Sequence, residues 1–132
     1  MTNALANPRT LLFVPGNQPK MLEKAAGFDT QWLIPDLEDS VPAAEKEAAR
    51  GIVTKHIPML ARAGKTLAPR VNSMTSGLAE ADINAIVSSD IVGISIGKIG
   101  NVEEVAALEN ILAEAEKSAG VTVGRTTILP WL

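Results

Sequence analysis

The chain has 132 residues, 46% hydrophobic and 3% aromatic, which suits one domain with an aliphatic core and leaves little room for a second. A net charge of -3 with no basic run argues against a nucleic-acid partner, and the lack of cysteine excludes disulfides, thiolate metal sites and thiol nucleophiles. No apolar stretch nears the ~20 residues of a membrane span, and the start, MTNALANPRT, lacks the basic-then-apolar pattern of a secretory signal, so a cytoplasmic protein without membrane contact is expected.

The first apolar run of strand length is TLLFV, Thr10 to Val14. It leads into Pro15-Gly16-Asn17, which matches neither the GxxxxGK[ST] phosphate loop nor the GxGxxG fingerprint. Gly16 then serves either as a tight turn or as a modest anion site made by N–H groups at a helix start. A helical segment from Gln18 follows, with Gly27 expected to cap its end.

The second run, QWLI (Gln31 to Ile34), runs directly into PDLEDSV, which packs Asp36, Glu38 and Asp39 into four residues. A surface turn would explain such a cluster, and so would a site that handles a cation or a proton. The next helix begins near Pro42 and ends near Gly64, the usual asymmetry. It carries Lys46 and Arg50 at i, i+4, read as a solvated face. It also carries His56, the sole histidine, read as a packing or surface residue.

The third run, TLAPRV (Thr66 to Val71), holds Arg70 between apolar neighbours and is followed by Asn72. A guanidinium half-buried there needs an anionic partner. That partner is either the acidic cluster or a ligand carboxylate gripped bidentately. A short helical segment, Ser76 to Ser89, precedes the fourth run, IVGISI (Ile91 to Ile96), which ends near Lys98. The longest helical pattern, Asn101 to Gly120, has the stripe Val102, Val105, Leu108, Ile111 and Leu112, with Asn101 as its cap. TTILPWL (Thr126 to Leu132) is the fifth run.

Strand and helix thus alternate about every 30 residues, and the strands are continuous apolar runs. The pattern predicts a parallel sheet covered on its faces by helices. Two folds fit, an open doubly wound sheet and part of a (β/α)8 barrel, since a whole barrel takes ~250 residues. In either, function gathers at the C-terminal strand ends. Gly16, the Asp36–Asp39 cluster, Arg70, Asn72 and Lys98 are expected to share that rim.

RTLLFVPGNQPKMLEKA, PDLEDSVPAAEKEAAR, RVN and GKIGNVEEV, in that order and at similar spacing, resemble the citrate lyase beta-subunit-like (HpcH/HpaI) aldolase family. The resemblance spans the whole chain, and DLEDSV with KEAAR downstream is its most specific part. It implies a (β/α)8 barrel that makes or breaks a carbon–carbon bond beside an acyl thioester or keto acid, citryl-CoA and malyl-CoA being typical. It implies Mg2+ and an arginine holding the substrate's oxygens, with the metal stabilising the enolate. On this basis Arg70 clamps the substrate. Glu38 and Asp39 are the catalytic carboxylates, forming with Asp36 behind them an acidic wall that orders water around the metal. Asn72 supports the site, and Arg9 and Gly16 lie toward the acyl carrier or CoA. Where the family has a Pro-Lys pair, this chain has Gly97-Lys98.

The family's metal ligands, a glutamate closing the fifth strand and a later aspartate, are expected beyond Leu132, so no direct metal ligand is expected within the 132 residues. The expectation is a single domain, residues 1–132, made of four βα units and a fifth strand. It is expected to be inactive alone, and to pair with copies of itself or a complementary chain through the TTILPWL edge. In a full-length relative, Arg70→Ala is expected mainly to damage substrate binding and turnover while sparing the fold, the substrate being a small carboxylate or acyl thioester. The alternative is a self-contained open α/β module that binds a small anion.

Overall fold

The computed structural model describes residues 9–131, so Leu132 of the fifth apolar run lies outside it. Six strands form a single sheet, and every pairing in it is parallel. They are β1 (Leu11–Pro15), β2 (Trp32–Asp36), β3 (Thr66–Leu67), β4 (Arg70–Val71), β5 (Gly93–Gly97) and β6 (Thr127–Trp131). The helices between them are α1 (Pro19–Ala25), α2 (Lys46–Arg62), α3 (Ala79–Ile86) and α4 (Val102–Ala119).

β3 and β4 are one strand interrupted at Ala68-Pro69, where proline brings no N–H to the ladder. The order across the sheet is β1-β2-β4-β5-β6, with β3 also on β2. Space follows chain order without reversal. A doubly wound sheet must reverse at a switch point, so this winding is that of a (β/α)8 barrel. The open α/β layout left standing by the sequence is thereby excluded.

The core settles which faces are covered. Val14, Leu33, Leu67, Val71, Ile94 and Ile96 cluster with Leu22, Val53, Leu60, Ile83, Leu108 and Leu112 of the four helices, and Leu12 and Ile128 pack against the same cluster. Successive strand residues point to opposite faces. The other face therefore takes Phe13, Ile34, Asp36, Arg70, Ser95, Leu129 and Trp131. This corrects the expectation of helices on both faces. One face carries them, and on the other Phe13 and Trp131 meet with ring centroids 5.6 Å apart, although they belong to the two outermost strands. The sheet curves around that contact as an arc of barrel wall.

Helix ends follow the sequence at α2 and α4 and depart from it at α1 and at α3, which runs Ala79–Ile86 and not Ser76 to Ser89. Asn101 accepts the Glu104 N–H at 2.8 Å as the cap of α4, and Gly64 and Gly120 take left-handed φ of 87° and 73° just past α2 and α4. Gly27 does not cap α1. That helix stops at Ala25, and the Gly27 N–H bonds the Lys24 carbonyl without left-handed backbone. None of the described helices is long and apolar enough to cross a membrane.

Candidate functional site

The register lays Pro15, Asp36, Arg70, Ser95 and Leu129 in one row across the sheet. Asp36 closes β2 and Arg70 opens β4, so two charged side chains stand beside each other on the face without helices. Arg70 donates from Nε to Asp36 Oδ1 at 2.7 Å and from Nη2 to Oδ2 at 2.8 Å, a bidentate pair. Asp36 also accepts the N–H of Glu38 (2.9 Å), the N–H of Ser40 (3.0 Å) and the Ser40 hydroxyl (2.6 Å).

Burial alone would raise the Asp36 carboxyl. The donors from Arg70, Ser40 and Glu38 outweigh it and bring it down to about 2 from 3.8. The bond from Asp36 outweighs burial at Arg70 and holds that guanidinium above its ordinary value. A carboxyl depressed in the folded state stabilises the fold above its unfolded value of 3.8 and stops doing so as pH falls through about 2. That contribution is on the order of 2 kcal/mol. Denaturant titrations across this acid range should show wild-type stability falling more steeply than that of Asp36→Asn. Parallel slopes would show that the carboxylate is not held down.

Glu38 and Asp39 complete the cluster. Glu38 Oε1 lies 3.7 Å from Arg70 Nε, and Asp39 Oδ2 lies 3.9 Å from Nη1. Lys98, just past β5, donates to Glu38 Oε2 at 3.1 Å and to Asp39 Oδ1 at 3.3 Å. These bonds hold its ammonium above its usual value. Lys98 adopts φ of 60°, the sole non-glycine with left-handed φ among the described residues. The Phe13 ring lies against the guanidinium, 4.6 Å from Cζ to its centroid. A pocket of about 290 Å³ opens here, lined by Glu38, Asp39, Arg70, Gly97, Lys98, Ile99 and Trp131. Three carboxylates thus face two cations, and Arg70 Nη1 has no hydrogen-bond partner among the described residues.

Of the residues singled out in the sequence, Asp36, Glu38, Asp39 and Arg70 come together. Asn72 stands behind them, buried, with its Nδ2 and N–H both donated to Asp82. The N–H of Gly16 itself is not free to meet an anion. It donates to the Asp36 carbonyl at 2.8 Å, and a Cβ on Gly16 would sit 2.4 Å from that oxygen and 2.7 Å from Val53. Glycine is needed because the β1 exit presses on β2. Arg9 is exposed ahead of β1 and does not line the pocket.

His56 stays in its helix region, bonded to the Ile52 carbonyl and near Glu23. Lys46 and Arg50 are not a solvated face. Arg50 Nε bonds buried Asp82 at 2.9 Å, and the Lys46 ammonium turns inward to the acidic turn and Asn72. Phe13, Trp131 and Asp82 went unread in the sequence. Phe13 and Trp131 are each the lone aromatic of their strand and gave no pattern, whereas an aspartate amid apolar helix residues was a signal for Asp82.

Residues 9–132 match the profile of the HpcH/HpaI aldolase/citrate lyase family. The citrate lyase subunit beta of Leuconostoc mesenteroides subsp. cremoris is 34% identical over 121 residues, covering 92% of this chain and 40% of that one. Human mitochondrial citramalyl-CoA lyase is 31% identical over 99 residues, 74% of this chain and 29% of that one. This chain therefore spans well under half of either relative. Among solved structures, Haloferax volcanii malate synthase in a magnesium/glyoxylate complex superposes with a TM-score of 0.83 at 18% identity, over 92% of this chain and 41% of that one.

Proposed function

The chain belongs to the HpcH/HpaI aldolase/citrate lyase family, and from that membership we propose that it forms the part of a carbon–carbon lyase that holds the carboxylate end of an acyl thioester such as citryl-CoA or malyl-CoA. One observation carries the reading. Asp36 and Phe13 fix Arg70 on two sides and leave its Nη1 edge facing an open pocket that Lys98 also enters. A planar donor pre-set in this way suits a carboxylate or a developing oxyanion.

Cleavage leaves an electron pair on the carbon beside the thioester carbonyl, and fixed cations stabilise that charge without reorganising. Lys98 is the movable cation, at 60% side-chain exposure, and it gives up Glu38 and Asp39 when an anion enters. Those two carboxylates are then placed to exchange a proton with substrate or water.

Magnesium is the ion proposed for the complete site, since a malate synthase of the same fold binds it. The described residues do not fit it as direct ligands. Among the described residues no group of three or more Asp, Glu, His or Cys is arranged to hold a metal ion: Asp36 is taken up by Arg70, and Glu38 and Asp39 are already paired with Lys98. We accordingly expect the 132-residue chain to bind without turnover. Phe13 and Trp131, each 37% exposed on the face without helices, make assembly with a second copy or a complementary chain part of the same proposal.

Calorimetric titration of the purified chain with malyl-CoA, against CoA alone, tests the reading. Malyl-CoA should bind more tightly, and Lys98→Met, which removes an exposed side chain without touching the core, should weaken it about tenfold. Equal affinity for malyl-CoA and CoA, or no effect of Lys98→Met, would refute it.

A further inference from the structure

We infer that Lys46 is a positioning residue of this site, an assignment that rests on the reading above. Lys46 opens α2, and its ammonium donates to the Leu37 carbonyl at 3.2 Å, the Glu38 carbonyl at 2.8 Å and Asn72 Oδ1 at 2.7 Å. An ammonium has three N–H donors, and here three neutral acceptors take them. Two belong to the turn leaving β2 and one to the residue two past Arg70, so one cation ties together the exits of the two strands that build the site.

The tie matters because Arg70 reaches only the start of the turn, its carbonyl accepting the Leu37 N–H at 2.9 Å. The Arg70 side-chain hydrogen bonds go to Asp36, and Glu38 and Asp39 stand off at 3.7 and 3.9 Å. Where those two carboxylates point is therefore set by the backbone of their turn together with the exposed Lys98 ammonium, which bonds both. Glu38 is held there from both sides, its N–H on Asp36 Oδ1 and its carbonyl on Lys46.

Asn72 is fixed just as fully. Its Oδ1 takes Lys46, while its Nδ2 and N–H go to Asp82 Oδ2 at 2.7 and 2.9 Å. Asp82 Oδ1 accepts Arg50, one turn after Lys46 on the same helix. A closed ring of contacts thus runs from α2 to the β2 turn, the β4 exit, α3 and back to α2. In it Lys46 meets the acidic turn directly and Arg50 meets only the support.

Amide hydrogen exchange on the full 132-residue chain tests this without any ligand. In Lys46→Met, the amides of Glu38, Ser40 and Asn72 should exchange about tenfold faster or more, in line with the loss of a charge-assisted bond. The amides of Ala68 and Val92, which bond across the sheet to Leu33 and Leu67, should keep their protection. Lys65→Met is the control. Its ammonium also bonds backbone carbonyls, those of Phe28 and Thr30, ahead of β2 at the other end of the sheet. It should leave Glu38, Ser40 and Asn72 unchanged.

If Lys46→Met does not fold cooperatively, Lys46→Gln, which keeps one donor, carries the same comparison with a smaller change. The assignment falls if the three amides do not respond, if Ala68 and Val92 speed up equally, or if Lys65→Met reproduces the pattern. Malyl-CoA affinity of Lys46→Met should also drop about tenfold with the core protected. A wild-type chain that fails to bind malyl-CoA would sink the site reading alone, and the amide pattern would still decide the role of Lys46.

Discussion

Arg70→Ala is expected to cost about 3–5 kcal/mol of folding stability, the range for stranding one member of a buried ion pair. Asp36 is fully buried and receives two of its five hydrogen bonds from Arg70. Without the guanidinium the carboxylate is left under-paired in the sheet face, and the Phe13 ring loses the cation against it. The variant should unfold at lower urea with little change in slope. Arg70→Lys should fall between, since an ammonium keeps the charge but cannot reproduce the two parallel bonds. A double variant, Asp36→Leu with Arg70→Met, should recover part of the loss by removing both desolvated charges. A loss under about 1 kcal/mol in Arg70→Ala, the range of exposed pairs, would show the pair to be worth no more than a surface one. From the sequence Arg70 was expected to serve the ligand and spare the fold; its bidentate pair with buried Asp36 makes a cost to the fold the expected result as well.

Asp82→Ala should be about as damaging, again roughly 3–5 kcal/mol. Asp82 is fully buried in α3 and accepts from Arg50 and twice from Asn72. Truncation leaves a buried backbone N–H, an amide donor and a guanidinium without their acceptor. Asp82→Asn should lose less, because one carbonyl oxygen still faces Asn72. Urea unfolding of the two variants side by side measures this, and an equal loss would mean that the charge of Asp82, which Asn lacks, matters more than its shape.

The order of elements and the location of the strands were legible, because apolar runs and helix caps are local signals. The winding was legible only through the family resemblance, which implied a (β/α)8 barrel. Periodicity says that strands are parallel, yet which strand lies beside which depends on loop handedness and sheet curvature, and the chain order of β1 to β6 bears out the barrel. Arg70 was legible as a charge in a strand, with its partner left open between the acidic cluster and a ligand. Asp36 took it because β2 runs two residues beyond the apolar QWLI and places that carboxylate in the sheet beside Arg70. Lys46 and Arg50 misled for the opposite reason. Spaced at i, i+4 they look like a wet helix face, and nothing nearby in the sequence announces that Asn72 and Asp82 arrive to meet them. Phe13 and Trp131 lie at the two ends of the chain, so their contact carried no local signature at all.

A sheet whose spatial order matches its synthesis order lets each strand dock on one that has already left the ribosome, so most pairing avoids waiting for distant sequence. The Phe13–Trp131 contact is the exception, since it joins the first strand to the last. It cannot close until β6 is in place, and the indole of Trp131 therefore times the docking of β6, readable by its own fluorescence against the buried Trp32.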